Sequence, residues 1–124
     1  MAKKIVLADD EEDVLTITKT RLIQQGYEVI IARDGEEALA LIRQHRPHLA
    51  VLDIRMPKLE GTEICQRMKH DRQLKSIPVL LISASSGALM PSEVAASGAD
   101  DALRKPFETV EFFQKVRRLI GEAA

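Results

Sequence analysis

The sequence predicts an α/β fold: a doubly wound, five-stranded parallel sheet flanked by five helices. Two patterns carry that reading. Short apolar runs without polar interruption, IVLA at 5–8, LAVL at 49–52 and VLLI at 79–82, suit strands buried on both faces. Between them, apolar residues fall at helical spacing and the segments close on glycine or proline, so strand and helix alternate five times. A chain of 124 residues with 45% apolar and 30% charged content is sized for one domain around a single core.

The first strand is expected over residues 3–8 and ends at Asp9 and Asp10. Glu11, Glu12 and Asp13 follow, read as acidic complement to the start of a helix. That helix carries Val14, Leu15, Ile17, Thr18 and Leu22 on its inner face and closes at Gln25 and Gly26. Residues 27–32 read as an edge strand, because Glu28 interrupts the apolar run. Asp34 caps a second helix from Gly35, with Ala38, Leu41 and Ile42 inward, and Pro47 ends the segment. The third strand stops at Asp53, and Pro57 and Gly61 mark the loop beyond it.

Ile64, Cys65 and Met68 mark a third amphipathic helix, which trails into the polar run KHDRQLKS. The fourth strand, 78–82, opens at a proline where no ladder donor is lost and ends at Ser83. Residues 84–99 are small and broken by Gly87, Pro91 and Gly98, so their helix is expected to be short. A weak fifth strand, 100–104, ends at Lys105-Pro106, and a closing helix runs over 107–120 with Phe112, Val116 and Leu119 inward. The uncharged first, third and fourth strands belong in the centre; the second and fifth, with Glu28 and Arg104, belong at the edges. Right-handed crossovers then give the flavodoxin-like order 2-1-3-4-5.

A net charge of −1 gives no electrostatic reason for direct nucleic acid binding, and 3% aromatic content supplies no base-stacking surface. No apolar stretch approaches the ~20 residues that span a bilayer, and the start is too short for a signal peptide. The lone Cys65 forms no internal disulfide and fits a reducing compartment, a small core residue in the cytosol. His45, His48 and His70 are scattered and expected to face solvent.

Four of the five strand ends carry a charged or reactive side chain: Asp9 with Asp10, Asp53, Ser83 and Lys105. Each alone has an ordinary reading as a turn residue, a helix cap or a solvated charge. Parallel strands, however, bring all these ends to one edge, where ligands of such sheets bind. Carboxylates gathered there repel, by about 4 kcal/mol for a pair ~4 Å apart at an effective dielectric near 20, unless a cation relieves them. The donors are all oxygens, which points to Mg²⁺ and not zinc. A hydroxyl and an ammonium beside the metal suit a phosphoryl group, and a carboxylate there can act as nucleophile and form an acyl phosphate.

These residues, in the motifs LADDEED, LDIRMP, LLISA and ALRKPF, resemble the receiver domains of two-component response regulators over the whole chain, in particular single-domain regulators of the chemotaxis type. The resemblance implies that Asp53 accepts a phosphoryl group from the phosphohistidine of a sensor histidine kinase or phosphotransfer protein. It implies Mg²⁺ held by Asp10 directly, by Asp9 mainly through water, by Asp53 and by the Arg55 backbone carbonyl. Ser83 and Lys105 would attend the phosphoryl group, the Lys105-Pro106 bond would be cis, and Arg55 and Ser85 would tune hydrolysis. It also implies a monomer or weak phosphorylation-dependent dimer that catalyses only its own phosphotransfer and dephosphorylation and signals to a downstream protein. The chain departs from the family at Ala102, where an aromatic switch residue is usual, and at Pro91 in the fourth helix. Readout is therefore expected through residues 84–92, by altered presentation of Leu89 and Met90. No output domain is read in residues 1–124; a free-standing regulator and a fragment of a larger one both fit.

Two other readings fit the sequence less well. A haloacid-dehalogenase-like phosphatase needs a DxD pair, but Asp53 is followed by Ile54 and Arg55, and no cap domain is present. A docking domain that is never phosphorylated has no need of the complete acidic set.

Overall fold

The computed structural model describes residues 2–83 and 91–123. Five strands, β1 (Lys4–Ala8), β2 (Glu28–Ala32), β3 (Leu49–Asp53), β4 (Val79–Ser83) and β5 (Asp101–Arg104), alternate with α1 (Glu12–Gln24), α2 (Gly35–His45), α3 (Gly61–Lys69), α4 (Pro91–Ser97) and α5 (Thr109–Ile120). The sheet is wholly parallel in the order β2-β1-β3-β4-β5. All residues of β3 and β4 are buried, as their uninterrupted apolar runs require.

Strand alternation divides the core in two. Ile5, Leu7, Leu49, Val51, Leu80 and Ile82 face α1 and α5, where Leu15, Leu22, Phe112 and Val116 meet them. Val6, Ala8, Ala50, Leu52 and Leu81 face α2 and α3, against Ala38, Leu39, Ile42, Ile64, Cys65 and Met68. Truncating a leucine such as Leu52, with no exposed surface, would cost ~2–5 kcal/mol.

Helix margins differ from the periodicity. On α1, Ile17 is exposed and Val14 half-buried, so the inner stripe is Leu15, Thr18 and Leu22. On α2 Leu39 is also buried and Leu41 only half-buried; on α5 Phe113 is also buried and Leu119 only half-buried. The polar run after α3 hides one core residue, Leu74, because a tight turn returns its side chain to the interior. His48 and His70 are exposed and His45 is half-buried.

Helix starts follow local chemistry. Asp34 accepts from the Glu37 amide at 2.8 Å and Glu37 accepts from the Arg33 amide at 2.8 Å, which fixes the α2 N-terminus. Among the described residues α4 starts at Pro91, a position where a proline's missing amide hydrogen costs no helical bond. Gly61 is required by packing: a Cβ there would lie 2.4 Å from the Asp53 carbonyl oxygen. That close approach folds the β3–α3 loop back over the end of β3. Ser85, Gly87, Leu89 and Met90, and with them most of the expected switching segment 84–92, lie outside the described residues.

Candidate functional site

The register of the sheet assembles the site. Ala8 pairs with Leu52, Asp53 with Ile82 and Ser83 with Arg104, so Asp9, Asp53, Ser83 and Lys105 leave their strands side by side. Asp9 and Asp53 are each 3% exposed and Ser83 5%, whereas Asp10 is exposed. Carboxylate oxygens from Asp9, Asp10, Glu11 and Asp53 all come within 4.8 Å of one another.

Lys105 sits among these groups. Its Nζ lies 2.8 Å from Asp9 Oδ2, 3.2 Å from Glu11 Oε1 and 3.4 Å from Asp53 Oδ2. Its amide donates to the Ser83 carbonyl at 2.8 Å, and its peptide bond to Pro106 is cis, as the resemblance implies. Burial alone would lower the ammonium's pKa, but Asp9, Asp53 and Glu11 together hold it above the usual lysine range.

Asp53 is pulled the other way. Burial, reinforced by the charge of Asp9 and opposed by Lys105, pushes its carboxyl from 3.8 up to about 7. Among the described residues, its Oδ1 and the Ser83 hydroxyl are buried without a hydrogen-bond partner. A buried polar atom left so costs ~1–3 kcal/mol, a burden that a visiting ligand would relieve. One carboxylate oxygen and one hydroxyl, at the ends of neighbouring strands, are thus open to an incoming group.

The profile of the response regulator receiver domain family matches residues 5–117. The chain belongs to that family. The alkaline phosphatase synthesis transcriptional regulatory protein PhoP of Bacillus subtilis is 37% identical over 97% of this chain and 49% of its own length. A crystal structure of a response regulator from Chloroflexus aurantiacus superposes with a TM-score of 0.91 at 29% identity, covering 98% of this chain and 100% of that one. The chemotaxis protein CheY4 of Vibrio cholerae gives 0.87 at 29% identity, covering 96% and 99%. The receiver spans about half the length of the curated relatives it matches. Its role is that of a phosphoacceptor module in two-component signalling.

Against the sequence reading, the receiver brings together Asp9, Asp10, Asp53, Ser83 and Lys105. The Arg55 guanidinium is exposed and paired with Glu60 at 2.7 Å. Glu11, expected from the sequence only to complement the helix dipole, reaches Lys105. The acidic run DDEED holds no signal that separates Glu11 from Glu12; the backbone does, being extended at Glu11 (φ −92°, ψ 113°) before α1 begins. Ala102 is half-buried against the α2–α3 side of the core. Among the described residues no helix is long and apolar enough to cross a membrane.

Proposed function

We propose that this receiver takes a phosphoryl group onto Asp53 from a phosphohistidine on a sensor kinase or phosphotransfer protein, and hands the resulting change to a downstream protein. The pair of unpartnered buried atoms, Asp53 Oδ1 and Ser83 Oγ, carries the reading. In the transfer, an Asp53 oxygen forms a bond to phosphorus as the bond from phosphorus to the histidine nitrogen breaks. The lone pair left on the imidazole stays with the donor. Lys105, already 3.4 Å from Asp53, offsets charge on the phosphoryl oxygens, and the Ser83 hydroxyl donates to one of them.

The oxygen donors also fit a divalent cation. Asp9, Asp10 and Asp53, with the Arg55 carbonyl on the loop leaving β3, would hold Mg²⁺. Bound there, the ion supplies positive charge toward the phosphoryl oxygens. The raised Asp53 carboxyl supports this fit, because a cation restores the ionised form that attack requires. The domain is then no enzyme in the ordinary sense: it acts only on its own aspartyl group. A groove of about 460 Å³, lined by Val14, Ile17, Arg21, Pro106 and Phe107, opens beside Glu11 and Lys105 and gives a donor protein a surface to rest on. The reduced, buried Cys65 suits a cytoplasmic setting.

Labelled acetyl phosphate tests the assignment. With Mg²⁺ the receiver should incorporate one acid-stable, base-labile phosphoryl group; without Mg²⁺, or in Asp53→Asn, incorporation should fall at least a hundredfold. Wild-type labelling in Asp53→Asn would overturn it. Labelling of neither protein would favour the docking domain that is never phosphorylated, and continuous turnover of phosphate esters the phosphatase reading.

A further inference from the structure

Glu11 does work that its place in an acidic run conceals. It occupies the N-cap position of α1, yet its carboxylate makes no capping hydrogen bond to that helix. Its amide instead donates to Asp9 Oδ1 at 3.0 Å, and this short turn aims the side chain back across the sheet end. There it reaches the ammonium of Lys105, 94 residues away, at 3.2 Å. An ammonium has three protons, and three carboxylates surround this one, those of Asp9, Glu11 and Asp53. A phosphoryl oxygen arriving on Asp53 needs one of those protons. The Asp53 carboxylate passes its charge to the phosphoryl oxygens it then carries, and the Asp9 side chain is only 4% exposed, so an unpaired charge there is costly, whereas that of Glu11 is 61% exposed and returns to water cheaply.

We propose that Glu11 is a positioning residue, a releasable counter-charge that holds the Lys105 ammonium at the mouth of the site until the phosphoryl group takes it over. The proposal rests on Asp53 as phosphoacceptor and deepens it. Glu11 competes with the incoming group for Lys105, so it slows loading and sets how readily the resting site fires. Its neighbour Glu12, engaged with Arg33 on the outer face of α1, has no such part.

The test is Glu11→Gln, compared with Glu12→Gln, in wild-type and Lys105→Ala backgrounds. Initial rates with acetyl phosphate and Mg²⁺ should rise roughly two- to fivefold for Glu11→Gln, the span an ion pair with one exposed partner supports. They should stay unchanged for Glu12→Gln, and Glu11→Gln should change nothing once Lys105 is gone. An equal rise in both backgrounds, or a rise with Glu12→Gln, would show simple repulsion of the anionic donor and overturn the proposal. An unchanged or slower rate for Glu11→Gln would overturn it too. The nitrogen-15 signal of the Lys105 ammonium, followed in unphosphorylated, metal-free protein, supplies a readout independent of labelling. It should shift and exchange faster with solvent in Glu11→Gln while the melting temperature holds, and it decides the matter where Lys105→Ala labels too slowly to compare. Failure of wild type to label at Asp53 would sink the acceptor assignment; an unmoved ammonium signal would sink only the role of Glu11.

Discussion

At the amino ends of the strands, polar groups find partners. The Asp100 carboxylate accepts from the Val79 amide at 2.8 Å and from Lys69 at 3.1 Å, and the same ammonium donates to the Ile77 carbonyl at 2.9 Å. Lys4 and His48 exchange two hydrogen bonds, of 2.9 and 2.8 Å. The Tyr27 hydroxyl donates to Gly121 at 2.8 Å, and the Lys3 amide donates to Ala123 at 2.8 Å, tying the end of α5 to the sheet. At the carboxyl ends of the same strands, Asp9 and Asp53 are buried beside each other, Asp53 has a raised pKa, and two buried polar atoms have no partner among the described residues. One edge is settled and the other is under load. Local inconsistency of that kind gathers where a ligand is to bind, and the settled edge supplies the stability that tolerates it.

The sharpest way to break this contrast is to remove one carboxylate from each edge. Raising the Asp53 pKa from 3.8 to about 7 means the folded protein keeps a proton that the unfolded chain has lost across that interval. The stability this contributes is complete below about pH 4 and is lost as pH rises through about 7. Metal-free Asp53→Asn should lack that slope and gain up to about 4 kcal/mol over wild type at pH 8, where the wild-type carboxyl is ionised. Asp100→Ala should instead lose ~1–3 kcal/mol, because it strands the buried Val79 amide. Urea unfolding of both variants from pH 4 to 8 measures the two signs. A destabilised Asp53→Asn at pH 8 would show that the carboxyl edge is not under load.

Mg²⁺ should lessen the contrast by relieving the same repulsion. Stabilisation by binding reaches about 2.7 kcal/mol at a hundredfold excess over the dissociation constant, and weak binding at ordinary concentrations gives less. Asp10→Asn should remove most of the Mg²⁺-dependent rise in melting temperature, since Asp10 presents an exposed carboxylate within the cluster. An unaltered rise in that variant would place the ion elsewhere.

How far each edge could be read from the chain follows from what a linear pattern encodes. Strands β1, β3 and β4 were legible because burial on both faces leaves no room for a polar residue, and their parallel pairing then brought Asp9, Asp53, Ser83 and Lys105 together. Margins were less legible. Periodicity locates a helix stripe but cannot tell that Ile17 lies beyond its rim while Leu74, in a polar run, turns inward. Glu11 was hidden for a different reason: its role depends on a single extended residue before α1 and on a lysine that only the fold brings near. The matched amino edge was not legible at all, since Lys69 and Asp100 have no spacing that announces a pair.

Arg55 sharpens the comparison at the finest scale, because it belongs to neither condition. It leaves the loaded edge on the loop after β3, but its guanidinium is satisfied by Glu60, 2.7 Å away, with the Arg55 side chain 75% exposed. Such a pair is worth only ~0.2–1 kcal/mol, so a dianionic phosphoryl group on Asp53 can draw the guanidinium across at little cost. Once over the acyl phosphate, it would hinder the water that hydrolyses it. Arg55→Ala should therefore shorten the phosphorylated state roughly two- to fivefold, the rate equivalent of that energy, and leave the rate of formation nearly unchanged. Glu60→Gln should lengthen it by a similar factor, because it frees Arg55 from its resting partner. Decay of label after removal of the donor measures both. Equal half-lives in wild type and both variants would leave Arg55 a solvated member of a surface ion pair, and the loaded edge would then control its own hydrolysis without help from the loop.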